Sequence, residues 1–234
     1  MGCTNLSIDM ARERKSLVEM LKIEGVIRSR LVEEAFLEVP REYFVPEHLR
    51  AYAYSDTPLP IGYGQTISAP HMVAIMTEEL GVNPGDTVLE VGTGSGYQAT
   101  ILAHIVSKRA GGHVYTIERI PQLARRAVVN IANARPDLLD FITVIVGDGS
   151  QGVELFQPFD KIIVTAAAPK IPEPLIQQLK PGGTMVIPVG NRWEQVLQVV
   201  VKNEKGYVRI RDSVACIFVP LIGEHGWRNE YSYM

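Results

Sequence analysis

The chain has 234 residues, of which 46% are hydrophobic and 21% charged, and this balance indicates a folded protein with a buried core. The formal net charge of −3 at pH 7 excludes a global basic field that would draw the chain to nucleic acid or to an anionic membrane. No segment approaches the roughly 18 apolar residues of a membrane span, and the first residues lack the apolar core of a signal peptide. We therefore expect a cytoplasmic protein with no membrane and no nucleic-acid partner. Cys3 and Cys216 are too few for a disulfide framework and lack metal-type spacing, so no metal site is expected.

The N-terminal third predicts helices and a loop. Apolar residues recur on one helical face from Arg12 to Gly25, and Gly25 is a plausible C-terminal stop. A second helix is predicted from Ser29, a candidate N-cap, until Pro40 prevents its continuation. The aromatic, proline-marked segment after it predicts a loop with one short helix near Pro46 to Tyr52. This part, to about residue 80, is interpreted as a helical cap rather than a sheet.

From Met72 to Leu80 the spacing again predicts a helix, and the pattern then changes to short apolar runs that alternate with helices. Five runs predict strands: TVLEV (87–91), HVYTIE (113–118), ITVIVG (142–147), KIIVTA (161–166) and, after the predicted turn KPGG, TMVIPVG (184–190). Such alternation predicts a parallel sheet that is covered on both faces. Two last apolar runs joined by NEKG predict an antiparallel hairpin. The predicted fold is one α/β domain, with the cap at about 1–80 and the sheet and hairpin at about 81–234.

A glycine loop follows the first strand of this sheet in VLEVGTGSGYQ, with glycines at 92, 94 and 96. Such a loop lets the backbone approach a ligand closely and places a helix N-terminus beside it. The dinucleotide fingerprint GxGxxG would need glycine at position 97, which is Tyr97 here. This mismatch weakens the interpretation as an NAD site, although an NAD enzyme with an altered third glycine stays open.

Two acidic residues follow the next two strands. Glu118 lies close to the roughly 20-residue spacing at which an acidic side chain accepts hydrogen bonds from ribose hydroxyls. Alone it could be a solvated strand end, and Asp148 in GDG could be a turn residue. Because the carboxyl ends of parallel strands meet at one edge of the sheet, these acids and the glycine loop together predict one ligand crevice.

In their order, VLEVGTGSGYQ, VYTIE, GDG and LKPGG resemble the motifs of class I S-adenosylmethionine-dependent methyltransferases. The resemblance implies a Rossmann-like, doubly wound, mostly parallel seven-stranded sheet and S-adenosylmethionine as the cofactor. It also implies roles at this edge. Gly92 and Gly94 would lie along the methionyl group and the ribose, Glu118 would hold the ribose hydroxyls, and Asp148 with Gly149 would border the adenine.

Four longer segments are similar to those of protein-L-isoaspartate O-methyltransferases: GQTISAPHMVA, VGDG, VTAAAPKIPEPLIQQLKPGG and FVPLIGEHGW. The family likeness implies methyl transfer to the free α-carboxylate of L-isoaspartyl residues in damaged proteins and peptides, which starts repair through a succinimide. No NPPY-like segment and no basic, aromatic-interleaved tract points to a nucleic-acid acceptor. Two alternatives stay open: a class I methyltransferase for another carboxylate or small molecule, and a cofactor-binding module without catalysis.

Within GQTISAPH, Ser68 has two interpretations. The sequence alone favours an N-cap of the helix that follows, while the family motif favours a catalytic, substrate-binding hydroxyl beside Ala69, and the two roles could coexist. Gln65 and Thr66 are expected along the adjoining cofactor wall. The likeness also implies that Val219 offers its backbone amide to the substrate. His71 receives no catalytic role, and the oligomeric state does not follow from the sequence.

Overall fold

The structure is a computed structural model that describes residues 3–228, with side chains from residue 10 onward. The predicted domain ends at 1–2 and 229–234, and the side chain of Cys3, lie outside the described residues. The helices are α1 (Cys3–Ile23), α2 (Arg30–Glu38), α3 (Pro70–Leu80), α4 (Tyr97–Val106), α5 (Pro121–Ala134) and α6 (Glu173–Gln178). The strands are β1 (Leu59–Gly62), β2 (Gln65–Ile67), β3 (Thr87–Val91), β4 (His113–Glu118), β5 (Ile142–Val146), β6 (Phe159–Val164), β7 (Leu179–Gly190), β8 (Gln195–Lys202) and β9 (Val208–Cys216).

One sheet of seven strands organises the molecule, in the order β5-β4-β3-β6-β7-β8-β9. The first five of these strands run parallel, while β8 and β9 are antiparallel to their neighbours. In the turn between β8 and β9, the side-chain oxygen of Asn203 accepts hydrogen bonds from the amides of Lys205 and Tyr207. The predicted parallel sheet with a C-terminal antiparallel hairpin is confirmed.

The central strands of the sheet are buried on both faces, as their continuous apolar runs predict, whereas β9 at the edge is largely exposed. Along β3, Val88 packs into one hydrophobic core, whereas Leu89 and Val91 pack into the other. The larger core takes apolar side chains from α1 to α5, and the smaller one takes those of α6 and the C-terminal segment at Leu221. Successive strand residues alternate between faces, so the five-residue strand joins both cores.

The segment predicted as loop before α3 contains a two-stranded hairpin, so the prediction that this third holds no sheet is wrong at this segment. β1 and β2 pair antiparallel, with Leu59 opposite Ile67. The turn has two residues, Tyr63 and Gly64, and both have positive φ, of 55° and 68°. Positive φ at both central positions is the turn geometry that matches the twist of paired strands. Tyr-Gly is a weaker turn signal than Asn-Gly, and the prolines around it suggested a loop.

Two predicted boundaries also differ. Helix α1 begins at Cys3, well before the predicted Arg12. The segment KPGG is not a turn before β7 but an irregular part of it, since the pairing with β6 shifts between Leu179 and Thr184. Gly182, with φ of 81°, lies within this bulge. The predicted short helix near residue 50 is present as a 3-10 helix, Glu47–Tyr52.

In residues 3–228, no helix is both long and apolar enough to cross a membrane.

Helix α2 is tied to α3, the helix that begins beside the ligand edge. The predicted N-cap is confirmed, because the Ser29 hydroxyl accepts a hydrogen bond from the Val32 amide at 3.3 Å. One carboxylate oxygen of Glu78, on α3, accepts hydrogen bonds from the amides of Arg28 and Ser29, both at 2.8 Å. These contacts fix the start of α2 against α3.

The cap of α2 can be tested by removing its hydroxyl. Ser29→Ala should lower the free energy of unfolding by about 1 kcal/mol, since the Val32 amide loses its partner. Urea denaturation followed by circular dichroism measures this loss. Ser29→Asn is the control, because it keeps a side-chain acceptor and should retain most of the stability. Equal stability of the alanine variant and the wild type would contradict the cap.

Candidate active site

A cavity of about 580 Å³, including its open mouth, lies at the carboxyl ends of β3 and β4. Six of the seven residues predicted for the cofactor line it: Gln65, Thr66, Gly92, Gly94, Glu118 and Gly149. The hairpin β1–β2 supplies the first two, and the sheet edge supplies the others. Residues far apart in the chain thus meet in one crevice, as the strand pattern predicts.

The glycine loop crosses this cavity as bare backbone. Gly92 and Gly94 have positive φ values of 100° and 53°. A Cβ atom at Gly92 would overlap the hydroxyl of Thr165, which donates a hydrogen bond to the Gly92 carbonyl at 2.7 Å. Glycine is therefore required at position 92 by both its conformation and its close neighbour.

Glu118 is held in a fixed orientation at the end of β4. One carboxylate oxygen accepts a hydrogen bond from the Gly94 amide, and the other accepts one from the Ile120 amide, both at 2.9 Å. The side chain is buried, yet it lines the cavity. Because each carboxylate oxygen can accept more than one hydrogen bond, acceptor capacity remains for a ligand.

Asp148 lies next to the cavity rather than in its lining. One of its oxygens accepts hydrogen bonds from the amide and hydroxyl of Ser150, at 2.9 and 2.7 Å, and the other accepts one from the Glu224 amide at 2.8 Å. Burial would raise the pKa of Asp148, but these hydrogen bonds outweigh it and lower the pKa. The carboxylate fastens the C-terminal loop, while the adjacent Gly149 borders the cavity.

A second cavity, of about 750 Å³, opens beside the first and contains all three residues predicted for the acceptor: Ser68, Ala69 and Val219. The two cavities share Thr66, Thr165 and Val219. A third, inner cavity lies between the glycine loop and α3, and Ser68 and Gly92 both line it. The strip from Thr66 to Ser68, with Thr165 opposite, therefore borders every one of these spaces.

The Ser68 hydroxyl does not cap α3. The N-cap residue is Ala69, which makes no side-chain cap, and Pro70 occupies the first turn. The interpretation of Ser68 as a structural cap is therefore wrong. Its carbonyl accepts a hydrogen bond from Nη2 of the buried Arg41 at 2.7 Å. Among the described residues, the Ser68 hydroxyl has no hydrogen-bond partner. It is therefore available to a ligand in the second cavity or in the inner cavity, both of which Ser68 lines.

Val219 and His71 both line this second cavity, which we call the acceptor cavity after the residues predicted for it. The Val219 carbonyl accepts a hydrogen bond from the Ala167 amide at 2.8 Å, which orients the peptide. No described residue accepts a hydrogen bond from the Val219 amide. His71 is paired with Asp56. The Asp56 carboxylate lies 2.9 Å from Nδ1 of His71 and accepts a hydrogen bond from the His71 backbone amide at 2.9 Å.

Two residues of the site were missed by sequence reasoning. Thr165 lines all three cavities, and its signal was a single polar residue after the apolar β6. Glu90 is fully buried on β3 and lines the inner cavity. One of its oxygens accepts a hydrogen bond from the Thr116 hydroxyl, and the other has no partner. Its signal was an acid within the apolar run VLEV. Burial raises the pKa of Glu90 to about 8.

A mostly parallel seven-stranded sheet with a glycine loop and an acidic strand end at one ligand edge defines a class I S-adenosylmethionine-dependent methyltransferase. The family model "Protein-L-isoaspartate(D-aspartate) O-methyltransferase (PCMT)" matches residues 12–226. The chain belongs to this family, which confirms the resemblance of its motifs. In residues 10–228 no group of three or more His, Cys, Asp or Glu side chains could hold a metal ion.

Similar proteins support the same assignment. The protein-L-isoaspartate O-methyltransferase of Hyperthermus butylicus is 59% identical over 220 residues, which cover 92% of this chain and 90% of the relative. That of Staphylothermus marinus is 55% identical over 221 residues, covering 93% and 97%. A Plasmodium falciparum crystal structure, described as a protein-L-isoaspartate O-methyltransferase with S-adenosyl-L-homocysteine, has a TM-score of 0.81 and 32% identity, and the match covers 89% of this chain and 98% of that one.

The raised pKa of Glu90 predicts a specific dependence of stability on pH. The folded ligand-free protein keeps a proton on Glu90 that the unfolded chain releases above its ordinary pKa of 4.5. This contribution to stability is therefore complete below about pH 4.5 and is lost as the pH rises toward 8. Glu90→Gln cannot titrate at this position. As the pH rises, its free energy of unfolding should therefore increase relative to that of the wild type by up to about 1 kcal/mol per pH unit.

Urea denaturation of both proteins at pH 5.5, 6.5 and 7.5 measures this difference. The exposed Glu13→Gln serves as the control for loss of a carboxylate, and its difference from the wild type should not grow over this range. Parallel pH profiles for Glu90→Gln and the wild type would show that Glu90 is ionised throughout.

Proposed function

We propose that the site around Ser68 is where the protein methylates L-isoaspartyl residues with S-adenosylmethionine as the methyl donor. The enzyme transfers the methyl group to the free α-carboxylate of these residues in damaged proteins and peptides. Esterification gives the α-carbonyl carbon a methoxide leaving group, so the nitrogen of the following backbone amide attacks that carbon, methanol is released and the succinimide re-forms. Hydrolysis then opens part of the succinimide to normal aspartate. The observation that carries the proposal for the site is that the two cavities share Thr66, Thr165 and Val219, with Ser68 lining the second cavity beside them. Cytoplasmic location and the lack of a nucleic-acid partner remain predictions from composition.

The residues of the first and inner cavities fit S-adenosylmethionine, which supplies an electrophilic methyl group on a sulfonium. The oxygen of Glu90 that is buried without a partner suits a cationic group such as the cofactor's ammonium. Glu118 has remaining acceptor capacity for ribose hydroxyls. Gly92 and Gly94 leave room for close approach of the backbone, and Gln65, Thr66 and Gly149 complete the wall.

The acceptor side needs orientation rather than a base. A peptide α-carboxylate has a pKa near 3.5, so it is already ionised and nucleophilic at pH 7. In our proposal the Ser68 hydroxyl and the Val219 amide donate hydrogen bonds to one carboxylate oxygen, which leaves the other free to attack. Ala69 lines the same cavity with an apolar side chain. Holding the reacting atoms aligned can remove roughly 7 to 11 kcal/mol from the barrier, so positioning is the main contribution of this chain.

The substrate can be tested directly with a matched peptide pair. An isoaspartyl peptide should accept labelled methyl groups from S-adenosylmethionine, and its aspartyl twin should be labelled at least about a hundredfold more slowly, because its carboxylate is displaced from the oriented donors. Equal labelling would indicate another carboxylate acceptor. Cofactor binding without any S-adenosylhomocysteine would indicate a module without catalysis.

The role of Ser68 predicts a loss of turnover without a loss of stability. Ser68→Ala should lower kcat for the isoaspartyl peptide by about one to two powers of ten, while the cofactor Kd stays nearly unchanged. The free energy of unfolding should change by less than about 0.5 kcal/mol, because the hydroxyl caps no helix. Ser29→Ala is the opposite control, with lower stability and normal kcat. Normal turnover of Ser68→Ala would remove Ser68 from the mechanism.

A further inference from the structure

Two large apolar side chains stand exposed beside the acceptor cavity. Trp193, in the turn between β7 and β8, is 81% exposed, and Ile217, just after β9, is 79% exposed. They line the same cavity, which we call the apolar shelf, together with Val189, Val196, Ala215 and Cys216. Single exposed apolar residues are ordinary, but these two share one largely apolar depression, at which Asn191, Glu194 and Gln195 are the polar lining residues, and this makes it a candidate binding surface.

The shelf is continuous with the acceptor cavity. Ala215, Cys216 and Ile217 line both spaces, and Val219 follows Ile217 by only two residues. A peptide that places its isoaspartate between Ser68 and Val219 can therefore continue onto the shelf. An extended chain advances about 3.3 Å per residue, so the side chains two or three positions away are the ones that reach it.

The turn that carries Trp193 is fixed by hydrogen bonds. The side-chain oxygen of Asn191 accepts hydrogen bonds from the backbone amides of Trp193 and Glu194, at 2.7 and 2.9 Å. The buried side chain of Gln195 donates to the Asn191 carbonyl at 2.6 Å and accepts the Phe218 amide at 2.8 Å. The turn is thus bonded to the residue that precedes Val219. Such preorganisation reduces the entropic cost of binding a ligand against the indole ring.

We propose that the apolar shelf is a specificity subsite for a large apolar side chain within two or three residues of the isoaspartate. This inference rests on the proposed function, since the substrate chain supplies the occupant. A second copy of this chain is the weaker candidate, because Ala215 to Ile217 line both spaces and a protein seated on the shelf would obstruct the acceptor cavity. Burial of a leucine-sized side chain against Trp193 and Ile217 favours apolar over polar flanking residues.

The test is a peptide series with isoaspartate in an alanine background and one leucine or serine at each position from −3 to +3. For the wild type, leucine should lower KM about five- to tenfold relative to serine at one or two positions, with kcat nearly unchanged. In Trp193→Ala, KM should rise for the leucine peptides alone, so that leucine and serine peptides have similar KM values. Trp193→Phe should keep most of the leucine-to-serine ratio. Tyr207→Ala, which removes an exposed aromatic ring from the far end of the β8–β9 hairpin, should leave the ratio unchanged.

A leucine-to-serine ratio near one in the wild type, or a ratio that survives Trp193→Ala, would overturn the subsite. A second result would also overturn the subsite: analytical ultracentrifugation shows a wild-type dimer, Trp193→Ala dissociates it, and the KM ratio of leucine to serine peptides is unchanged in the variant. The shelf would then bind a second copy of the chain. Failure of the proposed function is distinguishable, since it would abolish methylation of the serine peptides as well. In that case the same ratio, measured as peptide Kd by calorimetry, still decides the subsite.

Discussion

The parallel pairing of β3 with β4 on one side and β6 on the other is the constraint that places the site. Val91 lies opposite both Ile117 and Val164 in the two ladders. The ladders continue one step beyond the strands, because the Gly92 amide donates to the Ile117 carbonyl and the Thr165 amide donates to the Val91 carbonyl, each at 2.9 Å. The glycine loop, the end of β4 and Thr165 are therefore brought to one edge by backbone hydrogen bonds, before any side chain contributes.

The acceptor side depends on a different part of the chain. Arg41 is fully buried, donates from Nε to the Ala53 carbonyl at 2.9 Å and from Nη2 to the Ser68 carbonyl, and lies over the Tyr97 ring at 5.0 Å. Burial lowers its pKa, which reflects the cost of desolvating a guanidinium. That cost is offset by contacts that hold the N-terminal third, Ser68 and α4 together. The helical cap is thus part of the active site and not an appendage to the sheet.

The elements most accurately predicted are those with a strong local signal. The bounds of β3 and β4 match the sequence prediction, because both are short runs rich in β-branched residues and the glycine loop marks the end of β3. The predicted residues Gly92, Gly94 and Glu118 lie together because parallel topology leaves few alternatives. The hairpin β1–β2 was not predictable in this way, since its strands have four and three residues and are stabilised by tertiary packing. Glu90 and Thr165 were missed for a related reason, as their importance lies in which cavities they face.

The distribution of charge around the two cavities explains how one small site can serve ligands of opposite sign. The cofactor side contains Glu118 and the buried Glu90, which keeps its proton in the ligand-free protein and, in our proposal, releases it when a cationic sulfonium and ammonium bind beside it. Among the described residues that line the acceptor cavity, none is an aspartate or a glutamate. A carboxylate there would repel the anionic acceptor in a site of low dielectric, whereas in our proposal the neutral Ser68 hydroxyl and Val219 amide orient it without adding charge. Since attack requires no proton transfer, a strong base beside Ser68 would add nothing to the chemistry and would weaken binding of the substrate.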